Sequence, residues 1–153
     1  MSISKSCLPH SITVFHKIGE SGKTATYHKT KITNVRFDGR FAVSQKISGE
    51  KSLETFRAVI DPKTSVATGA FGRREYMPSE IFKSLPESER ENYWTVCEGD
   101  YIFPCVLSAE DSEKSVTLLK NKMRVFTVNS FSVQYDSYGI HHLEVSGRGK
   151  LLE

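Results

Sequence analysis

The segment most like a chemical motif is GESGKT, at residues 19–24. It ends in the Gly-Lys-Thr of phosphate-binding loops, in which backbone amides and a lysine hold the phosphates of a nucleotide. Such a loop also needs a glycine five positions before Gly22 and a helix after the threonine. Lys17 stands at the first of these positions, and the β-branched residues that follow predict a strand. We therefore interpret the segment as a hairpin turn and expect Lys23 to have no catalytic role.

The histidines and cysteines show no metal-binding spacing. His141 and His142 are adjacent, so their side chains should lie on opposite faces of a strand and could not bind one metal ion together without further ligands from elsewhere. Among the other histidines only His16 and His28 could meet, across the first hairpin, and we interpret them as surface or core packing residues. Three cysteines without CxxC spacing predict neither a disulfide framework nor a zinc site. We expect no metal and no cofactor.

Catalytic signatures are also missing from the sequence. There is no GxSxG, no Cys-His pair with supporting sequence and no convincing pair of carboxylates. Glu98 and Asp100 flank Gly99, and we interpret them as solvated acids of a turn. The sequence does not predict an enzyme.

The elements that would position these residues are mostly strands. Period-two alternation predicts strands at 11–18, 24–32, 35–43, 53–60, 93–96, 101–107, 123–135 and 140–146. The turn-prone Asp38-Gly39 should break the third, and 93–96 should form a hairpin with 101–107. Short helices are predicted at 79–84 and from 110 to about 122. We predict a mainly β fold, an antiparallel barrel or sandwich of about seven or eight strands with two short helices and one long loop.

Length and composition indicate one domain, residues 1–153, with an apolar fraction of 38% that excludes extensive disorder. We expect a flexible N-terminus at 1–10, a long loop at 61–77 and a C-terminal tail at 147–153. No apolar run is long enough to span a membrane, and the first ten residues have no apolar core of a secretion signal. Synthesis in the cytoplasm is therefore expected.

Charge is unevenly distributed along the chain. Residues 1–76 hold 13 Lys and Arg against 6 Asp and Glu, a net charge of +7, whereas residues 77–153 hold 8 against 12, a net charge of −4. The two halves could pair within the fold. Alternatively, opposite faces of a subunit could carry opposite charge, which favours ordered stacking on a partner.

Two segments are candidates for contact with partners. In the predicted loop, Phe71, Arg73, Arg74 and Tyr76 are either exposed on a flexible segment or anchors of an interface, because arginine and aromatic residues are enriched at binding hot spots.

The last strand is the other candidate. Alternation places Leu143 and Val145 inward, which leaves His142 and Glu144 for solvent or a neighbouring subunit.

Five segments carry a resemblance to a known group of proteins. They are SITVFHKI at 11–18, YHKTKITNVRF at 27–37, WTVCEGDYI at 94–102, LLKNKMRVFTVNSF at 118–131 and IHHLEVSGR at 140–148. Their order and spacing resemble small structural proteins of tailed bacteriophages and prophages of Gram-positive bacteria, encoded among the head-tail joining genes.

This resemblance implies a virion protein of the neck, a head-tail connector or head closure (minor capsid) protein. Such a subunit forms a homo-oligomeric ring, templated by the portal or adaptor, and meets the tail while DNA passes through the lumen without sequence-specific binding. A tail completion or terminator protein is an alternative. A small β-barrel module that binds nucleic acid or a peptide is another, with Tyr27, His28, Lys29, Lys31 and Phe37 as a thin basic and aromatic strip.

Overall fold

The structure, a computed structural model, describes residues 3–21, 24–46, 49–112 and 115–149. The strands in these ranges are β1 (His10–Ser21), β2 (Thr24–Lys46), β3 (Gly49–Ile60), β4 (Val66–Gly69), β5 (Gly72–Tyr76), β6 (Tyr93–Trp94), β7 (Tyr101–Phe103), β8 (Phe126–Asp136) and β9 (Gly139–Arg148). The α-helical segments are α1 (Ser79–Ser84), α2 (Glu87–Arg90), α3 (Ala109–Ser112) and α4 (Val116–Lys122), and a 3₁₀ turn spans Lys5–Cys7.

Six of these strands pair in a closed ring. The order around the ring is β1, β7, β8, β9, β3 and β2, and β2 pairs again with β1. Every one of these pairings is antiparallel. Outside the ring, β4 pairs with β2, β5 pairs with β4, and β6 runs parallel to β5. The prediction of a mainly β, antiparallel fold is confirmed.

The core forms because alternate residues of the ring strands face inward. Ile12 and Val14 of β1, Ile32 of β2, and Leu143 and Val145 of β9 are at most 1% exposed. A second cluster lies between β1, β7 and α4, and it contains Phe15, Phe103, Leu107, Val116 and Leu119. The inward assignment of the last strand is therefore confirmed.

Residues 61–77 do not form the predicted long loop. After a turn at 61–65 they form the hairpin of β4 and β5, in which Ala67 pairs with Arg74 and Thr68 with Arg73. Gly72 has a φ of 125°, which only glycine adopts without strain, and it closes the tight turn between the two strands. This hairpin could not be predicted from the sequence, because its small residues and glycines give little hydrophobic alternation.

Three other boundaries differ from the prediction. Asp38 and Gly39 do not break β2, since both continue its ladder with β3. The strands at 93–94 and 101–103 do not form a hairpin, because β6 pairs with β5 whereas β7 lies between β1 and β8. The helix at 110–122 is divided into α3 and α4, and the Ser115 hydroxyl caps α4 by accepting a hydrogen bond from the Leu118 amide.

The chain ends are held more closely than expected. The Ile3 amide donates a hydrogen bond to Asp61 Oδ2 over 2.6 Å, and Leu8 is 2% exposed, so these two residues hold the segment on the domain, whereas residues 4–7 are exposed. At the other end, β9 continues to Arg148, and the Gly149 amide donates to the Glu54 carbonyl over 2.8 Å. The rest of the predicted tail, residues 150–153, lies outside the described residues.

The hairpin of β2 and β3 extends beyond the ring. Residues 55–60 of β3 pair with β2 on one side and with β9 on the other. Residues 49–53 pair only with residues 42–46 of β2 within the described part of the chain. We call these two segments the ribbon. They lack the third strand that a stable sheet usually needs.

Candidate functional site

A buried polar cluster lies where β1 meets the turn between β6 and β7. Its members are His16 and Asp100, each 1% exposed, and the half-buried Cys97. The turn is possible because Gly99 adopts a φ of 93°. It is also fixed to β8, since the Gly99 amide donates to the Val128 carbonyl over 2.8 Å and the Val128 amide donates to the Asp100 carbonyl over 2.9 Å.

The Asp100 carboxylate is the centre of the cluster. Its Oδ2 lies 2.7 Å from His16 Nδ1 and accepts a hydrogen bond from the Cys97 amide over 2.8 Å. Its Oδ1 accepts from the Lys17 amide over 3.2 Å. These bonds satisfy a buried carboxylate that would otherwise be costly to remove from water. The interpretation of Asp100 as a solvated turn acid is therefore wrong, whereas Glu98 is exposed as expected.

The Cys97 thiol lies beside the same two groups. Its Sγ is 3.8 Å from His16 Nδ1 and 3.8 Å from Asp100 Oδ1. Burial, followed by the negative charge of Asp100, raises the pKa of the Cys97 thiol to about 11. At neutral pH the sulfur therefore keeps its proton and is a poor nucleophile.

An aromatic side chain of α1 lies against the cluster. The Phe82 ring contacts His16 edge-on at 5.4 Å between centroids and lies 5.0 Å from the ring of His28. His16 and His28 are opposite one another in the β1–β2 ladder, as expected for the first hairpin. His28 Nε2 lies 2.8 Å from the Tyr93 carbonyl. Burial lowers the pKa of His28, so its imidazole is neutral at pH 7 and donates that hydrogen bond.

The arrangement is suited to metal binding rather than to nucleophilic catalysis. In a catalytic Cys-His pair the nucleophile and the orienting group use different ring nitrogens. Here the thiol and the Asp100 carboxylate both lie at Nδ1 of His16. The three ligand atoms of His16, Cys97 and Asp100 all lie within 4.8 Å of one another. No motif spacing predicts this cluster, because His16 is 84 residues from Asp100.

The predicted interface residues of the β4–β5 hairpin separate into two groups. Phe71, in the turn, is 85% exposed, and Arg73 is exposed on β5. Tyr76 is half-buried, packs against Trp94 with ring centroids 5.2 Å apart, and lies near Phe131. Burial raises the pKa of the Tyr76 hydroxyl to about 12. Phe71 and Arg73 are therefore available to a partner, and Tyr76 only in part.

Arg74 is buried inside the subunit rather than displayed to a partner. Its side chain donates to the Lys29 carbonyl over 2.5 Å, to Thr30 Oγ1 over 2.8 Å, to the Glu91 carbonyl over 3.1 Å and to Glu91 Oε2 over 2.7 Å. A Cβ added at Gly69 would overlap Arg74 Cζ, so glycine makes room for the guanidinium. Arg74 joins β5 to β2 and to the end of α2.

A cleft of about 290 Å³ opens beside this hairpin. Its walls include Ile32, Ile60, Arg73, Tyr76, Trp94 and Ile140. Three of the four predicted interface residues, Arg73, Arg74 and Tyr76, line this cleft.

The last strand brings its two histidines together, contrary to expectation. His141 Nδ1 lies 2.7 Å from His142 Nδ1. Strand alternation is interrupted at this point, because the β8–β9 register shifts between Gln134 and Tyr135 and leaves His141 without a ladder partner. His142 Nε2 also lies 3.1 Å from Glu144 Oε1.

Glu144 is further paired with Arg57, whose Nη2 lies 2.5 Å from the same oxygen. Hydrogen bonds from His142 and Arg57 lower the pKa of Glu144. His142 and Glu144 are half-buried and therefore lie on a partly accessible surface of β9.

Comparison with known proteins identifies a family but no characterised relative. A family model described as "Family of unknown function (DUF6751)" matches residues 8–148. A search of curated proteins found no match, and a search of solved structures found none either. Within the described ranges, no helix is both long and apolar enough to cross a membrane.

Proposed function

The chain belongs to this family of unknown function, DUF6751, and we propose that it is a virion structural protein of a tailed bacteriophage or prophage. In this proposal it is a head-tail connector or head closure (minor capsid) protein of the neck. It assembles as a homo-oligomeric ring between portal and tail, with DNA passing through the lumen. The order of the five segments that resemble head-tail joining proteins supports this assignment.

The ribbon is the structural feature that best supports a function in assembly. Residues 42–46 and 49–53 pair only with each other among the described residues, although they continue strands of the ring. A two-stranded ribbon is at best marginally stable in water, and its outer edges can accept a further strand. Such an element is well suited to docking on a neighbouring subunit by strand addition or groove insertion.

Charge and exposed aromatics support the same function. Residues 1–76, which include the ribbon, have a net charge of +7, and residues 77–153 have −4. Opposite charges on neighbouring subunits would select the correct stacking. Phe71 and Arg73 add an exposed aromatic and an exposed cation close to the cleft. These two residues, with the surface of His142 and Glu144, remain the candidate contacts within the proposed ring.

A shortened ribbon tests the proposal. Ala42 and Leu53 are paired, so replacing residues 43–52 with Asn-Gly should close a two-residue hairpin and leave the ring ladder unchanged. The wild-type chain, co-expressed with the portal and adaptor proteins encoded beside it, should co-purify as a ring complex by size-exclusion chromatography and electron microscopy. The shortened variant should keep its melting temperature but lose this complex.

Two exposed aromatics provide a matched comparison. Phe71 is 85% exposed at the β4–β5 turn and Tyr138 is 90% exposed near the β8–β9 turn. Phe71→Ser should weaken the complex, whereas Tyr138→Ser should not. Absence of portal and capsid genes near the coding gene would overturn the assignment, and so would a complex that tolerates ribbon shortening and Phe71→Ser together.

A tail completion or terminator protein remains an alternative of the same class, and it predicts co-purification with tail rather than portal proteins. The nucleic-acid module has weaker support. In the predicted strip, Tyr27 packs 6.0 Å from Phe15 and Phe37 stacks on Phe56 at 5.4 Å, so these rings contact the domain itself. Oligonucleotide binding that falls steeply with salt would favour that module.

A further inference from the structure

We propose that His16, Cys97 and Asp100 form a binding site for a single zinc ion. An imidazole, a thiol and a carboxylate are the three side-chain groups that zinc most often binds in proteins. Here the imidazole nitrogen, the sulfur and the carboxylate oxygens converge from β1 and from the turn at 97–100. Cys97 could coordinate as a soft thiolate, which favours zinc over magnesium or calcium.

The distances between donor atoms support this ion. Zinc bonds of about 2.0 Å to nitrogen or oxygen and about 2.3 Å to sulfur, at tetrahedral angles, place ligands roughly 3.3 to 3.5 Å apart. The Sγ of Cys97 lies 3.8 Å from His16 Nδ1 and 3.8 Å from Asp100 Oδ1. The nitrogen and Oδ2 of Asp100 are 2.7 Å apart. With Oδ2 as the ligand of Asp100, the distances from His16 Nδ1 to Oδ2 and to Sγ would change by about 0.6 Å and about 0.3 Å when zinc binds.

The charges balance when zinc binds. The carboxylate of Asp100 already carries one negative charge, and the thiol of Cys97 supplies a second when its proton leaves to solvent. His16 moves its ring proton from Nδ1 to Nε2, so Nδ1 can donate its lone pair to zinc. One proton is released, and the buried donor set neutralises the 2+ ion. Neutrality is important here because an unpaired charge in a buried site is strongly disfavoured.

The site offers three protein ligands, which leaves the fourth position of a tetrahedral zinc ion for a water molecule. His16 and Asp100 are buried, but Cys97 is half-buried, so an ion and a water could reach its sulfur from solvent. The ligands come from distant parts of the chain and already hold their backbone in place, since the Cys97 and Lys17 amides donate to Asp100. Zinc would therefore tie the 97–100 turn to β1.

Cobalt(II) titration tests the site, because a thiolate bound to cobalt gives a charge-transfer absorption. We expect the wild-type chain to bind one Co²⁺ with this absorption and to release it when Zn²⁺ is added. Free zinc at about 100 times its dissociation constant should raise the melting temperature by roughly 5 °C or more. EDTA should reverse the rise. These wild-type measurements remain decisive even if a cluster variant fails to fold.

Single substitutions test which residues bind the ion. Cys97→Ser should abolish the thiolate absorption and the thermal shift. Cys105→Ser changes an exposed cysteine outside the cluster and should leave both unchanged, and His142→Ala should do the same. Three results would overturn the proposal: no Co²⁺ binding by the wild type at micromolar protein, absorption retained in Cys97→Ser, or absorption lost in His142→Ala, which would place the ion at the two adjacent histidines.

Discussion

Arg74 and Arg73 are adjacent in the sequence, yet their replacement should have opposite consequences. The Arg74 side chain is 3% exposed and makes four hydrogen bonds inside the subunit, whereas Arg73 is exposed on the other face of β5. Arg74→Ala should therefore destabilise the domain, and Arg73→Ala should affect only contacts with a partner. From the sequence alone, both residues were predicted to have the same interface role.

The expected loss of stability in Arg74→Ala follows from the acceptor groups that would lose the guanidinium as their hydrogen-bond donor. The Lys29 carbonyl and Thr30 Oγ1 would each lose a hydrogen bond to a charged group, and such bonds contribute about 1.5–3 kcal/mol. The Glu91 side chain is 37% exposed, so water would replace the guanidinium there. Relief of the desolvation of a buried cation offsets part of the loss. We expect Arg74→Ala to lower the free energy of unfolding by about 3 kcal/mol, and Arg73→Ala to change it by less than about 0.5 kcal/mol.

Urea unfolding monitored by tryptophan fluorescence provides the assay. Trp94 is the single tryptophan of the chain and is 2% exposed, so its emission reports loss of the core. An unchanged dependence on urea concentration would show that the two states remain comparable. The reasoning would be refuted if Arg74→Ala and Arg73→Ala unfolded at the same urea concentration.

A double-mutant cycle with Gly69 isolates the contact. In the wild type, Gly69→Ala places its Cβ against the Arg74 guanidinium and should displace it, at a cost similar to that of Arg74→Ala. In the Arg74→Ala background the same substitution meets no guanidinium and should cost much less. Additive effects of the two substitutions would show that they do not interact.

Three further predictions concern single side chains. Leu143→Asp buries a carboxylate at a fully buried position and should cost several kcal/mol, whereas His142→Ala should leave the melting temperature unchanged; equal melting temperatures would contradict this. Burial lowers the pKa of His28, so the unfolded state binds a proton on this imidazole before the folded state does. The stability contributed by the neutral His28 is therefore lost as pH falls below about 6.5. A His28 pKa of 6.5 or higher in the folded protein, measured by NMR titration, would exclude this effect. With its pKa raised to about 11, the Cys97 thiol should be ionised about 100-fold less at pH 8 than an unperturbed thiol and should react with iodoacetamide more slowly than the exposed Cys7; equal rates by mass spectrometry would contradict the burial.

Local sequence pattern predicted the parts of the fold that depend on local periodicity. Alternation gave the strands of the first hairpin, the facing of His16 and His28, and the inward position of Leu143. It failed for the β4–β5 hairpin, because its small residues and glycines carry no apolar period. The predicted break at Asp38-Gly39 was also wrong, because pairing with β3 keeps these residues in a strand although aspartate and glycine disfavour strands.

The candidate site was harder to predict, since its residues are brought together only by ring closure. His16 meets Asp100 because β7, which follows the 97–100 turn, pairs with β1. No motif in the sequence between these two residues predicts that contact. The burial of Arg74 was equally difficult to predict, because its partners lie 17 to 45 residues away, on β2 and directly after α2. Long-range pairings of this kind depend on the whole topology rather than on any local motif.

The ribbon should be the least protected part of the described β structure in the free subunit. Its amides belong to a two-stranded element, whereas ring amides of β8 and β9 are held in a closed sheet, and opening free energies within one protein range from nearly zero to the global value. Hydrogen-deuterium exchange read by mass spectrometry should therefore show residues 42–46 exchanging within seconds to minutes while residues 142–146 remain protected. In the complex with portal and adaptor proteins the ribbon should become protected, because a third strand or a groove now covers its edges. Strong protection of the ribbon in the free subunit would remove the physical reason for assigning it to assembly.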